Sequence, residues 1–217
     1  MNNIVHRILY NKNVQSGSIF AFFSFLNQGL NFFLLIILSR YIFPSSYGKL
    51  NLFYTTVSVV SYVICLCTSG IVSVVLNSTL TVSAILLLIV GIFSNFVTNI
   101  TNIQPMLQII CIYICASTVV YNLLLDIYRL EEKSLKYGFL TTLSTIVNIV
   151  LSLLLVIGFN QDWIGRIEAN LIAATIFLVM GLVNLINKGY IRRLSPTKAI
   201  YKETLLFGIS LITQSIN

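Results

Sequence analysis

Residues 16–48 read SGSIFAFFSFLNQGLNFFLLIILSRYIFPSSYG, and this stretch decides the fold. From Asn13 to Ser39 no side chain is charged. About 20 apolar residues in a helix cross the hydrocarbon core of a bilayer, so the stretch predicts a membrane-spanning helix. A polar stripe runs along it through Ser24, Gln28 and Asn31. Their i, i+4, i+7 spacing puts them on one helical face. Amides in lipid are costly unless they face protein or a wet cavity. The stripe therefore predicts a helical bundle with a polar interior, in which Gln28 and Asn31 are candidate cavity residues. A cleaved signal peptide would have an apolar region of only about 7–15 residues and a small-residue cleavage site. This run is longer and ends in Ser39-Arg40-Tyr41-Ile42-Phe43, so it reads as a retained helix. A turn follows at Pro44-Ser45-Ser46-Tyr47-Gly48.

The rest of the chain supplies the bundle. Of 217 residues, 57% are hydrophobic and 9% charged, with mean hydropathy +0.93. Soluble domains carry about 25% charged residues, so the composition is that of an all-α integral membrane protein with several crossings. The net charge of +7 sits in short links between apolar runs. That is the positive-inside pattern, not a nucleic-acid surface.

Little in the sequence suits catalysis. His6 is the only histidine. Cys65, Cys67, Cys111 and Cys115 all lie inside apolar runs. Cys111 and Cys115 share a helical face, but no histidine or carboxylate in those runs completes a metal site. They read as small buried packing residues. No catalytic residue, metal or cofactor is expected.

Taken in order, residues 1–12 form a short basic lead-in, and span 1 covers about 18–41. No residue from Leu50 to Leu125 is charged. At about 1.5 Å per residue this is far too long for one crossing. Ser69-Gly70 and the segment from Asn99 to Pro105 are the natural breaks, with Pro105 placed for the first turn of a new helix. The breaks give spans at about 50–68, 79–98 and 106–125. Residues 71–78 either extend the third span or lie along the membrane. The charged link Asp126–Tyr137 contains Arg129, Lys133, Glu132 and Lys136 at i, i+4 spacing, which predicts that the fourth span continues out of the membrane as a helix. Glu131 and Glu132 read as solvated and ion-paired.

Span 5, about 138–159, has a stripe of Thr141, Thr145, Asn148 and Ser152. Small hydroxyl residues join membrane helices, so this face predicts helix packing. Span 6, about 164–187, carries Asn170, Ala174, Gly181 and Asn184 on a small, polar face, with Glu168 expected at the interface near Arg166. The link 188–203 is basic, and 204–217 begins a seventh apolar run too short to cross.

The charges set the topology. With the N-terminus inside, the inner segments hold Arg7, Lys12, Arg129, Lys133, Lys136, Lys188, Arg192, Arg193, Lys198 and Lys202. The outer ones hold Arg40, Lys49 and Arg166. This bias predicts six spans with both ends of the lobe inside. Reporter fusions after Lys136 and Asn187 should read cytoplasmic, and a fusion after Asp162 should read external. A cytoplasmic signal at Asp162 would reverse the assignment.

Four stretches resemble the polysaccharide (O-antigen) flippase family, within the superfamily of multidrug and toxic-compound extrusion (MATE) transporters. They are LSRYIFPSSYGKLNLF at 38–53, YRLEEKSLKYGFLTTLSTIVNIVLSLLLV at 128–156, GRIEANLIAATI at 165–176 and YKETLLFGISLITQS at 201–215. Their order and spacing carry the resemblance. Glu168 stands where the family usually has glycine. Gly208-Ile209-Ser210 lacks the usual proline, and the link between spans 2 and 3 lacks a basic residue.

The resemblance implies one six-helix lobe, residues 1–203, of a twelve-helix MATE-like transporter, with 204–217 as the truncated start of the second lobe. It further implies a flippase in the bacterial inner membrane. Its substrate would be a polyprenyl-pyrophosphate-linked oligosaccharide, and its other partners membrane lipid and a second lobe, on another chain or in a homodimer. Gln28 and Asn31 would meet sugar, and Arg40 pyrophosphate. Arg40 lies nine residues beyond Asn31, about 180° round a helix. Either the helix breaks near Ser39 or Arg40 snorkels at the interface. Export of a drug or another lipid, and an inactive fragment, are the alternatives. A membrane-bound polysaccharide polymerase fits less well, because the outer loops are short.

Overall fold

The computed structural model describes residues 12–65, 72–101 and 103–190. The lead-in, the Ser69-Gly70 break, Cys67, the link from 191 and the seventh apolar run lie outside the described residues. Within them the chain forms six α-helices: α1 Lys12–Tyr41, α2 Pro44–Cys65, α3 Val72–Thr101, α4 Pro105–Leu130, α5 Ser134–Leu153 and α6 Asp162–Asn187. A π-helical turn, Leu154–Gly158, extends α5. The fold is all-α, a six-helix membrane lobe. Val72–Thr101 is one helix, so residues 72–78 extend the third span. That helix kinks at Phe93 (φ −110°, ψ 22°), between Gly91 and Ser94, where small residues let a helix bend.

Five segments are long and apolar enough to cross a membrane: Gln15–Tyr41, Val75–Asn99, Pro105–Leu130, Ser134–Gly158 and Asp162–Asn187. The remaining helix, α2, is more polar. Its Thr55, Thr56 and Ser58 hydroxyls donate back to the Asn51, Leu52 and Tyr54 carbonyls at 2.9, 2.9 and 3.0 Å. Such internal bonds let hydroxyl residues enter a bilayer. Large apolar side chains are exposed along the helices, among them Phe25, Phe32, Leu88, Ile92 and Phe96. A water-facing surface of this kind would aggregate, whereas lipid covers it.

The described residues fall into two compact units. One comprises Met1–Pro44 and Leu125–Ala169, the other Ser45–Leu124 and Asn170–Asn217. In the second unit, α4 is the core element, with Cys111, Ile114, Cys115 and Leu124 buried. The Cys115 thiol donates to the Val57 carbonyl at 3.2 Å. The Tyr121 and Phe177 rings meet at 5.2 Å. Gly181 is buried, and a Cβ there would lie 3.7 Å from Tyr121 Cα, so the small face of α6 does bring two helices close. The buried Gln108 amide donates to Thr98 Oγ1 at 3.1 Å and to the Ile103 carbonyl at 2.8 Å. These bonds tie the α3–α4 turn to α4.

The expected helical continuation of the fourth span past residue 125 is present as far as Leu130, short of the i, i+4 partners at 133 and 136. The helix stops at Leu130, and Glu132 adopts φ 54°. The Lys133 amide donates to Tyr128 O at 2.9 Å and the Glu132 amide to Arg129 O at 3.1 Å. This is the Schellman arrangement, which satisfies the last carbonyls and needs a left-handed residue at the position of Glu132. The charges pair differently from the i, i+4 reading. Lys133 Nζ lies 2.9 Å from Glu131, and Arg129 lies 3.5 Å from Asp126. A left-handed conformation costs a non-glycine residue about 1–2 kcal/mol. Glu132→Gly should therefore raise stability by roughly 1 kcal/mol, measured as a higher thermal midpoint of the detergent-solubilised protein.

Candidate polar site of the first unit

The first unit is built on α1 and α5. The Phe20 and Tyr137 rings pack edge-to-face at 5.1 Å. One turn on, Gly138 is buried against the Phe23 ring, so closely that a Cβ would overlap it. The π turn Leu154–Gly158 also meets α1. With Phe20 beside Tyr137 and the C-terminal extension of α5 also on α1, the two helices run parallel.

That register places Asn27 of α1 and Thr142 of α5 at one level, each four residues past the Phe23–Gly138 contact. Asn27 Oδ1 and Thr142 Oγ1 are both buried with no hydrogen-bond partner. The polar stripe read from spacing lies beside Asn27 but is not buried with it. Ser24, Gln28 and Asn31 are exposed. The amide that turns inward is Asn27, one residue from Gln28 and about 100° round the helix.

The helix continues through Ser39, whose hydroxyl donates to the Ile36 carbonyl at 2.8 Å, and the Ile42 amide donates to Leu38 O at 2.9 Å. The break near Ser39 is therefore absent. Arg40 is exposed in the last turn of α1, where a cation complements the helix dipole. It does not join Gln28 and Asn31 on their face.

The α5 stripe divides into two parts. Thr141 and Thr145 bond within their own helix, to the Gly138 and Thr141 carbonyls at 2.9 and 3.0 Å. Asn148 and Ser152 instead hold a cation. Arg166 Nη1 donates to Asn148 Oδ1 and to Ser152 Oγ, and Ser152 Oγ donates to the Asn148 carbonyl. Arg166 is half-buried. The expected packing role of the stripe is refined, since these residues hold a guanidinium. A guanidinium drawn into apolar surroundings needs acceptors, and the amide and hydroxyl supply them. Sequence spacing gave no sign of this bond, because the arginine comes from the next helix.

At the other end of α5, Arg129 Nη2 donates to the Tyr137 hydroxyl at 3.0 Å, and its guanidinium carbon lies 5.2 Å from the ring centroid. The unit thus offers amides, hydroxyls and fixed positive charge. That chemistry suits hydrogen bonding and charge recognition. Among the described residues no group of three or more histidine, cysteine, aspartate or glutamate side chains could hold a metal ion.

No protein-family model and no curated protein matches the chain. Among solved structures, it is similar to one described as the outward-facing conformation of a multidrug resistance MATE family transporter of the MOP superfamily. The TM-score is 0.63 at 14% sequence identity, over 88% of this chain and 50% of that one. The chain therefore spans about half the length of that transporter and shares the fold of one half.

Proposed function

We propose that the chain forms one lobe of an exporter that carries a polyprenyl-pyrophosphate-linked oligosaccharide across the bacterial inner membrane. The observation that carries the reading is the exposed polar stripe Ser24, Gln28 and Asn31 on a helix otherwise fit to face lipid. Left in hydrocarbon, an unsatisfied amide costs roughly 4–8 kcal/mol. A second lobe and a wet pathway between the two would remove that penalty, and rocking of repeats would alternate access. Oligosaccharide hydroxyls suit the amides. The family resemblance of the charged link and of α5 supports a lipid-linked substrate. The fold likeness supports transport over catalysis.

The same likeness, to a multidrug transporter, favours as second reading the export of another amphiphile. Both readings are tested in cells that lack their own flippase and display no surface glycan. Residues 1–217 are expressed alone and joined to a second six-helix lobe. Glycan display by the joined form only supports the proposal. Drug resistance without glycan display supports the second reading. Display by residues 1–217 alone, with no other lobe encoded, would replace the half-transporter with a homodimer.

A further inference from the structure

The segment joining α5 to α6 concentrates unusual backbone. Leu154–Gly158 is π-helical, and Asn160 and Asp162 have φ of 53° and 49°. Gly165 packs where a Cβ would lie 3.1 Å from the Leu155 carbonyl carbon. Wide turns and left-handed non-glycine residues persist only where the surroundings impose them, and they cluster at elements that move. Arg166 stands beside this segment. It stands four residues into α6, roughly 6 Å from the helix start. Arginines at such positions ordinarily snorkel outward to the membrane edge. This one reaches across to Asn148, roughly 15 Å before the end of Leu154–Gly158 by helical rise.

An alternative partner lies on its own helix. Asp162 precedes Arg166 by four residues, an acid ahead of a base, at the left-handed first position of the helix. Asp162 Oδ1 is buried and accepts no hydrogen bond. We infer that Arg166 is a two-position latch. Bonded to Asn148 and Ser152, it draws α6 onto α5 and holds the π turn. Swung to Asp162, it forms an intrahelical ion pair at the membrane edge and frees the end of α5. The two positions exchange one set of polar contacts for another, which keeps them close in energy. The latch stands independently of the cargo.

Hydrogen exchange of the Leu154–Gly158 amides in the full chain, reconstituted in lipid nanodiscs, tests this. Ser152→Ala weakens the clasped position and should speed exchange severalfold. Thr145→Ala, one site removed from Arg166, should leave the rate unchanged. Asp162→Asn weakens the released position and should slow exchange about twofold, the worth of such a pair. The sign is decisive. A carboxylate that merely complements the helix dipole would, when neutralised, loosen the segment and speed exchange. Unchanged or faster exchange in Asp162→Asn, or unchanged exchange in Ser152→Ala, would overturn the latch.

Discussion

Gly138→Leu is expected to separate α1 from α5 and to lower the thermal midpoint of the protein more than any other single change discussed. The two helices meet where Gly138 lies against the face of Phe23, and even a methyl group there would overlap the ring. Phe23 is itself packed on Phe22 and cannot swing away without disturbing that pair. Overpacking of this kind costs about 1–3 kcal/mol. The loss should appear in detergent as a lower midpoint and a smaller monodisperse fraction. Gly138→Ala should show a milder form of the same defect. Phe23→Ala, added to Gly138→Leu, should restore most of the midpoint, because it vacates the volume that leucine needs. Gly29 is the control. It lies on α1, the helix that carries Phe23, with nothing within 4 Å of its would-be Cβ. Gly29→Ala should be neutral or stabilising by about 0.5–1 kcal/mol. Failure of Phe23→Ala to rescue would mean that the helices are held elsewhere.

That contact shows where sequence reading stops. The order of helices was legible because charge and proline are punctuation in an uncharged chain. Pro44, Pro105 and the Glu131-Glu132-Lys133 cluster each sit at a helix boundary. Which face of a helix turns inward was not legible. α1 is apolar nearly all round, so periodicity gives no preferred direction. The spacing of Ser24, Gln28 and Asn31 identified a shared face but not whether it was buried, and nothing in the spacing set Asn27, with Asn31 at i+4, apart as the amide that turns inward. Gly138 looked like one more small residue before an apolar run. Its significance depends on Phe23, more than 100 positions away. The bonds of Arg166 to Asn148 and Ser152 were not legible for a related reason. Charge counting assigns an arginine to a side of the membrane, while the direction of its side chain depends on acceptors that another helix supplies. The π turn has no sequence signal at all, since LLVIG is an ordinary apolar run.

Gln28→Leu combined with Asn31→Leu is expected to abolish most glycan display by the joined two-lobe transporter while leaving the protein fully inserted. Both side chains are exposed in this lobe, so leucine removes no packing, and on a spanning helix it favours insertion. Any loss must then come from contacts outside the lobe. A neutral hydrogen bond contributes about 0.5–1.5 kcal/mol net. Two such positions together correspond to roughly a ten- to hundredfold fall in transport. Arg40 separates the stripe from general electrostatics. It lies on the opposite side of an unbroken helix, so Arg40→Lys should be silent and Arg40→Ala mild, provided that its role is to anchor the helix end. A display defect in Arg40→Ala as deep as that of the leucine pair would place the cation in the pathway and require α1 to bend during transport. Full display by the leucine pair, at normal protein levels, would remove Gln28 and Asn31 from the pathway. The pair Asn27 and Thr142, whose oxygens are buried without partners, would then be the next polar groups to test.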